Sequence, residues 1–388
     1  MKQLTLYLIL GLFITSPLHA ETYRVNSEDQ FKNIIPKLIA GDEVLIKDGN
    51  YTPWAVEIPS KGTLKAHIMI RSENEGGVIF TGDFSQPAFK LTGNYIVLKG
   101  ISFKNCNLLK SGSLIVLNNT TNCSVTNCSF TSTTAKVQFT PLVVVSGNGD
   151  SNQIANCNFS GNIDNQDVQV KITKETSPQN TLIENNLFEN KNKVSWKNGN
   201  GGECIQVGQD PVLLGTRVSK TLVRFNRFIR CNGEGEVISN KSSNNTYIKN
   251  YFEANQGELV MRGGHDCLID GNIFKGGSGG IRINGTGHTV INNQISDVKT
   301  AIRLMYGMAK GKAEIGFYIA ASGCILKNNR IDQASTGILV GDSKDVDWTG
   351  KFDITKYPSP VMQNIAPFDN EISGNVFTKT DKTVLGQP

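Results

Sequence analysis

One eight-residue frame recurs along this chain and leaves few folds open to it. It appears as IVLKGISF (96–103), CSVTNCSF (123–130), NQIANCNF (152–159), TLIENNLF (181–188), TLVRFNRF (221–228), NTYIKNYF (245–252), CLIDGNIF (267–274), HTVINNQI (288–295), CILKNNRI (324–331) and NEISGNVF (370–377). The last position is always Phe or Ile, and the sixth is Asn in seven copies. Most intervals between copies are 21 to 29 residues, and three are longer. No helical stretch lies between the strands. A unit of that length cannot bury its own apolar face, so the units must stack. The expected class is all-β, a right-handed parallel β-helix.

Stacking gives each slot of the frame a column. The last slot predicts an aromatic ladder through Phe103, Phe130, Phe159, Phe188, Phe228, Phe252, Phe274, Ile295, Ile331 and Phe377. The sixth predicts an amide ladder through Asn186, Asn226, Asn250, Asn272, Asn293, Asn329 and Asn375, with Asn also suited to a left-handed turn there. Cys128 and Cys157 share that slot in earlier turns, and Cys123, Cys267 and Cys324 share the first. The eight cysteines are therefore expected as buried, stacked thiols rather than a disulfide framework, and their spacing fits no structural zinc site. Ahead of the repeat, SEDQFKNIIPKL (27–38) predicts a short amphipathic helix capped by Ser27 and kinked at Pro36, placed to cover the open end of the solenoid.

Residues 1–20 have the form of a signal peptide: Lys2, an apolar run from Leu4 to Ile14, and a small residue, Ala20, before Glu21. The run is shorter than the roughly 20 residues a spanning helix needs. The mature chain is expected to be exported, periplasmic or secreted, free of membrane, monomeric, and one domain over 21–388. Net charge is +5 without a basic block or aromatic interleaving, which argues against nucleic acid and suits a polyanionic sugar.

A second strand frame follows the first: ECIQVG (203–208), EVISNK (236–241), ELVMRG (258–263), GIRING (280–285), AIRLMYG (301–307) and GILVGD (337–342). Strict alternation would put Glu203, Glu236 and Glu258 in one outward column, with Glu234 on the same face. Carboxylates about 4.8 Å apart repel unless something positive lies between them. A Ca²⁺ held by Glu203, Glu234 and Glu236, with Asn200 as a further oxygen donor, would resolve this; a solvated acidic ladder balanced by cations is the plainer alternative. Lys241, Arg262, Arg282 and Arg303 stand beside the column. So many charges on one face, in a chain only 19% charged, mark a site. The chemistry that fits is removal of the C5 proton of a uronate: a neutral amine, Lys241, as base, a cation on the C6 carboxylate, and Arg262 at the leaving oxygen as acid or electrostatic stabiliser.

The motifs NGGECIQVG, GEGEVISNKS, GELVMRGGHDCLIDGN and AIRLMYG resemble polysaccharide lyase family six, the family of alginate lyases and chondroitinase B. The N-terminal segments AGDEVLIKDGNYT, KGTLKAHIMIRSENEGGVIFTG and YIVLKGISFKN are similar as well, so the likeness runs from about residue 22 to 340. It implies Lys241 as base, Arg262 as acid, Glu234 and Glu236 as calcium ligands with Asn200 or Glu203 as the third, and Arg303 and Tyr306 in a segment lining the substrate cleft. Where many members carry His directly after the catalytic Arg, this chain has Gly263, and His265 follows two residues later. His265 is either a substitute substrate contact or a turn residue. Alginate is the first expected substrate, because the chain is short and single-domain; dermatan sulfate would demand more cations for its sulfates. A β-helix hydrolase would show paired Asp in the groove, which the motifs lack. A pectate lyase or epimerase shares the proton abstraction. A non-catalytic carbohydrate-binding solenoid would not need Lys241.

Overall fold

A computed structural model describes residues 20–110, 112–210 and 215–386; the expected signal peptide lies almost wholly outside these. The chain is a parallel β-helix. In the first sheet the strands follow chain order, from Thr22–Val25 and Glu43–Ile46 through Ser124–Thr126 and Leu268–Asp270 to Glu371–Ser373. From Ser124–Thr126 onward each is formed by the second to fourth residues of one frame. The chain then bends, and the end of the frame enters the neighbouring face, as in Ser124–Thr126 followed by Ser129–Thr131.

The bend has a definite residue. The fifth position of the frame takes the left-handed conformation, at Asn127, Asn156, Asn185, Phe225, Lys249, Asn292 and Asn328 with φ of 52 to 57°. That corrects the expectation for the sixth-slot asparagines, none of which has a positive φ. Their role is pairing. Asn186, Asn226, Asn250, Asn272, Asn293 and Asn329 each donate from Nδ2 to Oδ1 of the next, at 2.9 to 3.1 Å, ending on Asn375. Each of these buried amides is thereby satisfied along the axis, which an apolar interior requires.

The aromatic ladder forms as expected. From Phe103 to Phe274 successive ring centroids lie 4.4 to 5.3 Å apart and within 13° of parallel, each offset-stacked pair contributing about 0.5–1.5 kcal/mol beyond its buried area. All eight cysteines are free and buried. The N-terminal helix spans Glu28–Ile34, Ser27 Oγ accepts from Gln30 N, and a 3₁₀ turn takes over at Ile35–Lys37, where Pro36 cannot donate. Phe31 meets Trp54 and Phe89 of the first turns and so covers that end of the core. Among the described residues no helix is long and apolar enough to cross a membrane.

The face that carries the chemistry is built from Pro141–Ser146, Gln166–Val170, Ile205–Val207, Glu236–Lys241, Glu258–Gly263, Gly279–Ile283 and the end of Gln294–Met305. Its core register runs Val143, Val168, Ile205, Ile238, Leu259, Ile281, Ile302. Strict alternation, expected from the motifs, fails at one strand. The register slips between Glu236 and Ile238 and again between Asn240 and Lys241, so Val237 and Ile238 both enter the core. Two long connections leave this face beyond Met305. They pack Met308, Phe317 and Tyr318 against Trp348, Phe352 and Tyr357 in a small second core, tied by the antiparallel pair Val346–Asp347 and Met362–Gln363.

Candidate active site

The second register slip sets the central geometry. Asn240 pairs with Met261, and Lys241 with Gly263, so Arg262 is the extra residue of a bulge. Bulges re-aim a side chain that strict pleating would send elsewhere. Here Lys241 and Arg262, on neighbouring rungs, line one cleft of about 540 Å³. Its floor includes Gln169, Gln206, Glu203 and Glu234, and its far wall is Phe317, Phe352 and Tyr357. A second cleft of about 680 Å³ extends from it towards the N-terminal turns and shares Phe139, Gln169 and Lys171 with it.

The cations are held by the acids around them. Lys241 Nζ lies 3.7 Å from Glu203 Oε1, both side chains almost fully buried. Burial pulls the Lys241 amine below its ordinary range, with Arg262 adding to the fall and Glu203, Glu236 and Glu234 opposing it. Arg262 Nη1 lies 3.5 Å from Glu236 Oε1, which also pairs with Arg282. Burial works against the Arg262 charge, but Tyr318, Glu236, Glu234 and Glu203 outweigh it and hold the guanidinium firmly cationic. Burial likewise works against an ionised Glu236, yet Arg262, Arg282 and Lys241 hold its carboxyl down to about 2.

Glu203, Glu234 and Glu236 offer carboxylate oxygens all within 4.8 Å of one another. Two observations test whether this group suits a cation. Glu234 is pushed up to about 8 by burial and then by Glu203 and Glu236, although Gly202 N–H donates to it. Glu236 Oε2 is buried with no hydrogen-bond partner. Crowded, buried carboxylates, one with an unpartnered oxygen, fit a hard divalent cation. The triad could hold an ion.

The remaining sequence candidates fall in different places. Asn200 lines the cleft at its exposed rim, and its backbone carbonyl accepts from Gln138 Nε2. Glu258, expected in the acidic column, pairs with Arg303, which also bonds Asp342 at 2.8 Å. Arg282 and Arg303 line a separate depression of about 470 Å³ with Lys299. His265 is 4% exposed and faces inward, its Nδ1 2.7 Å from Thr286 Oγ1. Tyr306 is half-buried, and its carbonyl accepts from Gln363 Nε2. Neither His265 nor Tyr306 is among the residues lining the Lys241 cleft.

Several cleft residues went unseen in the sequence. Phe139 is 51% exposed and held at φ 60°, a conformation that a bulky residue adopts only when its surroundings impose it. Gln169 has no motif around it, and Gln206 sits inside ECIQVG with nothing there to mark it as a cleft residue. Phe317, Phe352 and Tyr357 lie outside the repeat; only the aromatic run in GFYIAA hinted at a second core.

A family model described as chondroitinase B matches residues 25–386. No curated protein matches the chain. Among solved structures, a mannuronic acid specific polysaccharide family 6 lyase from human gut microbiota is similar with a TM-score of 0.76 at 24% identity, over 94% of this chain and 82% of that one. A PL6 family polysaccharide lyase from Pseudopedobacter saltans is similar with a TM-score of 0.75 at 21% identity, over 94% and 92%. The PL6 family alginate lyase AlyGC gives 0.77 at 21%, over 94% of this chain and 52% of that one. At these identities the likeness shows the fold.

Proposed function

The chain belongs to the chondroitinase B family of polysaccharide lyases, and on that premise we propose that it cleaves alginate by β-elimination, with Lys241 as base and Arg262 at the leaving oxygen. The observation that carries the reading is the placing of Lys241 and the bulged Arg262 at one register slip on neighbouring strands, where both line one cleft beside a buried acidic triad.

The step balances with this chain's residues alone. The Lys241 amine takes the proton from C5 of a uronate. The C5–H electron pair forms the C4=C5 double bond, and the C4–O4 bond breaks. Arg262 donates a hydrogen bond to the departing O4, stabilising its negative charge until O4 takes up the proton that Lys241 removed from C5. Lys241 suits the first task because burial and the adjacent guanidinium disfavour its charged form. Glu236 keeps Arg262 in place. A Ca²⁺ held by Glu203, Glu234 and Glu236 would supply positive charge for the C6 carboxylate and so acidify C5–H. The centre of the cleft supports an unsulfated substrate, since Lys241 and Arg262 are already engaged with acids, while its other cations, Lys171, Lys351 and Lys356, are exposed. The signal-like residues 1–20 support an exported protein meeting its polymer outside the cytoplasm.

Incubation with mannuronate blocks, guluronate blocks and dermatan sulfate tests this, followed by the ultraviolet absorbance of the C4=C5 bond. Absorbance should rise with alginate blocks and fall by about 10²–10⁴-fold in Lys241→Met. Absorbance from dermatan sulfate alone would transfer the substrate assignment. Unchanged activity in Lys241→Met would end the mechanism, and no unsaturated product from any uronan would leave a binding protein.

A further inference from the structure

Beneath the cleft the side chains of four residues form a one-way relay. The Glu203 carboxylate accepts from Gln166 Nε2 at 2.9 Å on one oxygen and from Gln206 Nε2 at 2.8 Å on the other. A carboxylate has no hydrogen to give, so both glutamines turn their amide nitrogens to it and their carbonyls away. Those carbonyls converge on Gln169, whose Nε2 donates to Gln206 Oε1 at 2.7 Å and to Gln166 Oε1 at 3.3 Å. Both amide hydrogens of Gln169 are then used. Its own Oε1 has no partner among the described residues.

A solvent-exposed glutamine would flip to suit whatever approached. Gln169 is 7% exposed, and a flip would set its oxygen against two other carbonyl oxygens. The relay therefore holds Gln169 as a pure acceptor, and the Glu203 charge fixes that polarity. The position matters as much. Gln169 is shared by the cleft of Lys241 and the cleft that extends it, together with the exposed ring of Phe139 and the exposed amine of Lys171. A ring to lie against, a fixed acceptor and an exposed cation are what one sugar unit with hydroxyls and a carboxylate requires.

We infer that Gln169 is a specificity-determining residue, whose locked carbonyl accepts a hydroxyl of a sugar unit bound at the junction of the two clefts and rejects an anionic O-sulfate in the same place. The inference deepens the lyase reading and rests on it for the substrate class. A sulfate oxygen cannot donate, so it would meet the carbonyl acceptor to acceptor. Lys171 does not rescue it, since an exposed amine serves a carboxylate or a sulfate alike.

The test compares uronan oligomers of one length, unsulfated and chemically O-sulfated. Binding is measured by calorimetry on Lys241→Met, which does not turn them over, and kcat/KM on the wild type. Sulfation should weaken both by about tenfold or more. Gln169→Lys, which offers an ammonium donor, should narrow the ratio chiefly through KM. Gln169→Met, which removes the carbonyl at similar volume, should weaken the unsulfated chain alone. Equal affinity of Lys241→Met for the two oligomers, or binding of neither, overturns the inference whether or not the Gln169 variants fold. So does an unchanged ratio in a Gln169→Lys protein that melts like the parent. A sulfation penalty on binding without unsaturated product would uphold the role of Gln169 and overturn the lyase reading instead.

Discussion

The guanidinium carbon of Arg262 lies 5.4 Å from the centroid of the Phe317 ring. Tyr318 stands 5.5 Å away, and Arg262 Nε is buried without a hydrogen-bond partner. The orientation of this cation therefore depends on Glu236 and on two ring faces. Phe317 is itself held, stacked on Phe352 at 4.7 Å and met edge-on by Tyr357 at 5.4 Å. A desolvated cation–π contact is worth about 1–2 kcal/mol. If it orients Arg262 towards the leaving oxygen, Phe317→Leu should lower kcat by roughly 5–30-fold with little change in KM, and Phe317→Tyr should restore most of it. In an Arg262→Lys background, Phe317→Leu should cost little more, because coupled residues are not additive. Full additivity in that double-mutant cycle would assign Phe317 to packing alone.

That contact also marks where the sequence stopped being informative. The frame from 96 to 377 gave away the solenoid because each slot must stack on itself: Phe130 on Phe159, Asn250 on Asn272. Glu234, Glu236, Lys241 and Arg262 were legible as a spaced set. The rest depends on departures from the repeat. A register slip has no signature in EVISNK, yet it decides that Ile238 follows Val237 into the core and that Arg262 is the bulged residue. The second core joins residues 308 and 357 through connections with no period. The Gln169 relay spans 37 residues to Gln206, and isolated glutamines look like surface. The left-handed residue fell one slot earlier than expected because the bend precedes the amide ladder: Asn292 turns and Asn293 pairs.

A buried ion pair supports the turns below the cleft. Lys191 Nζ donates to Asp167 Oδ1 and to Asn165 Oδ1, each at 3.0 Å, with the Lys191 and Asp167 side chains 2% and 3% exposed. Burial raises the Asp167 carboxyl even though Lys191 opposes it. Losing one partner strands the other charge in an apolar interior. Lys191→Met should therefore destabilise the fold by about 3–5 kcal/mol, seen as a fall in the denaturation midpoint. Adding Asp167→Leu should recover much of the loss. A Lys191→Met protein as stable as the parent would mean that water reaches Asp167.

The acidic triad predicts a response to divalent cations that can be measured without substrate. An ion binding only the folded protein adds stability by mass action, about 2.7 kcal/mol at a hundredfold excess over Kd. Chelation should lower Tm, and Ca²⁺ should raise it with concentration. Glu234→Gln removes one of three crowded carboxylates but leaves an oxygen for the Gly201 and Gly202 N–H groups. It should raise Tm in chelator and blunt the gain from Ca²⁺. A Tm indifferent to chelator and to Ca²⁺ alike would remove the ion from the proposal.

His288 predicts the acid side of the stability profile. It occupies the first slot of its frame, where Asn152 and Asn245 accept from the backbone N–H of Cys123 and Thr221 in the turns before them. His288 Nδ1 does the same for Cys267 N at 3.1 Å, which leaves Nε2 as the protonated nitrogen, facing Asn284 O at 3.1 Å. Protonating Nδ1 would set two donors against each other in a fully buried site. Burial, then the neighbouring His265, lowers His288 to about 4, against weaker opposition from Asn284 O, Asp266 and Gly264. A base whose folded pKa is depressed contributes stability that is complete above its unfolded value, near 6.5. That stability is lost as pH falls through the window down to about 4, because the unfolded chain binds the proton first. The loss for His288 alone approaches about 3 kcal/mol at the bottom of the window. His265, also lowered to about 4, adds in the same direction. His288→Asn keeps the acceptor that other turns use and removes the titration. Its Tm should therefore fall less steeply than the parent's between pH 6.5 and 4. Parallel Tm profiles for the two proteins across that window would show that His288 is not what acid attacks.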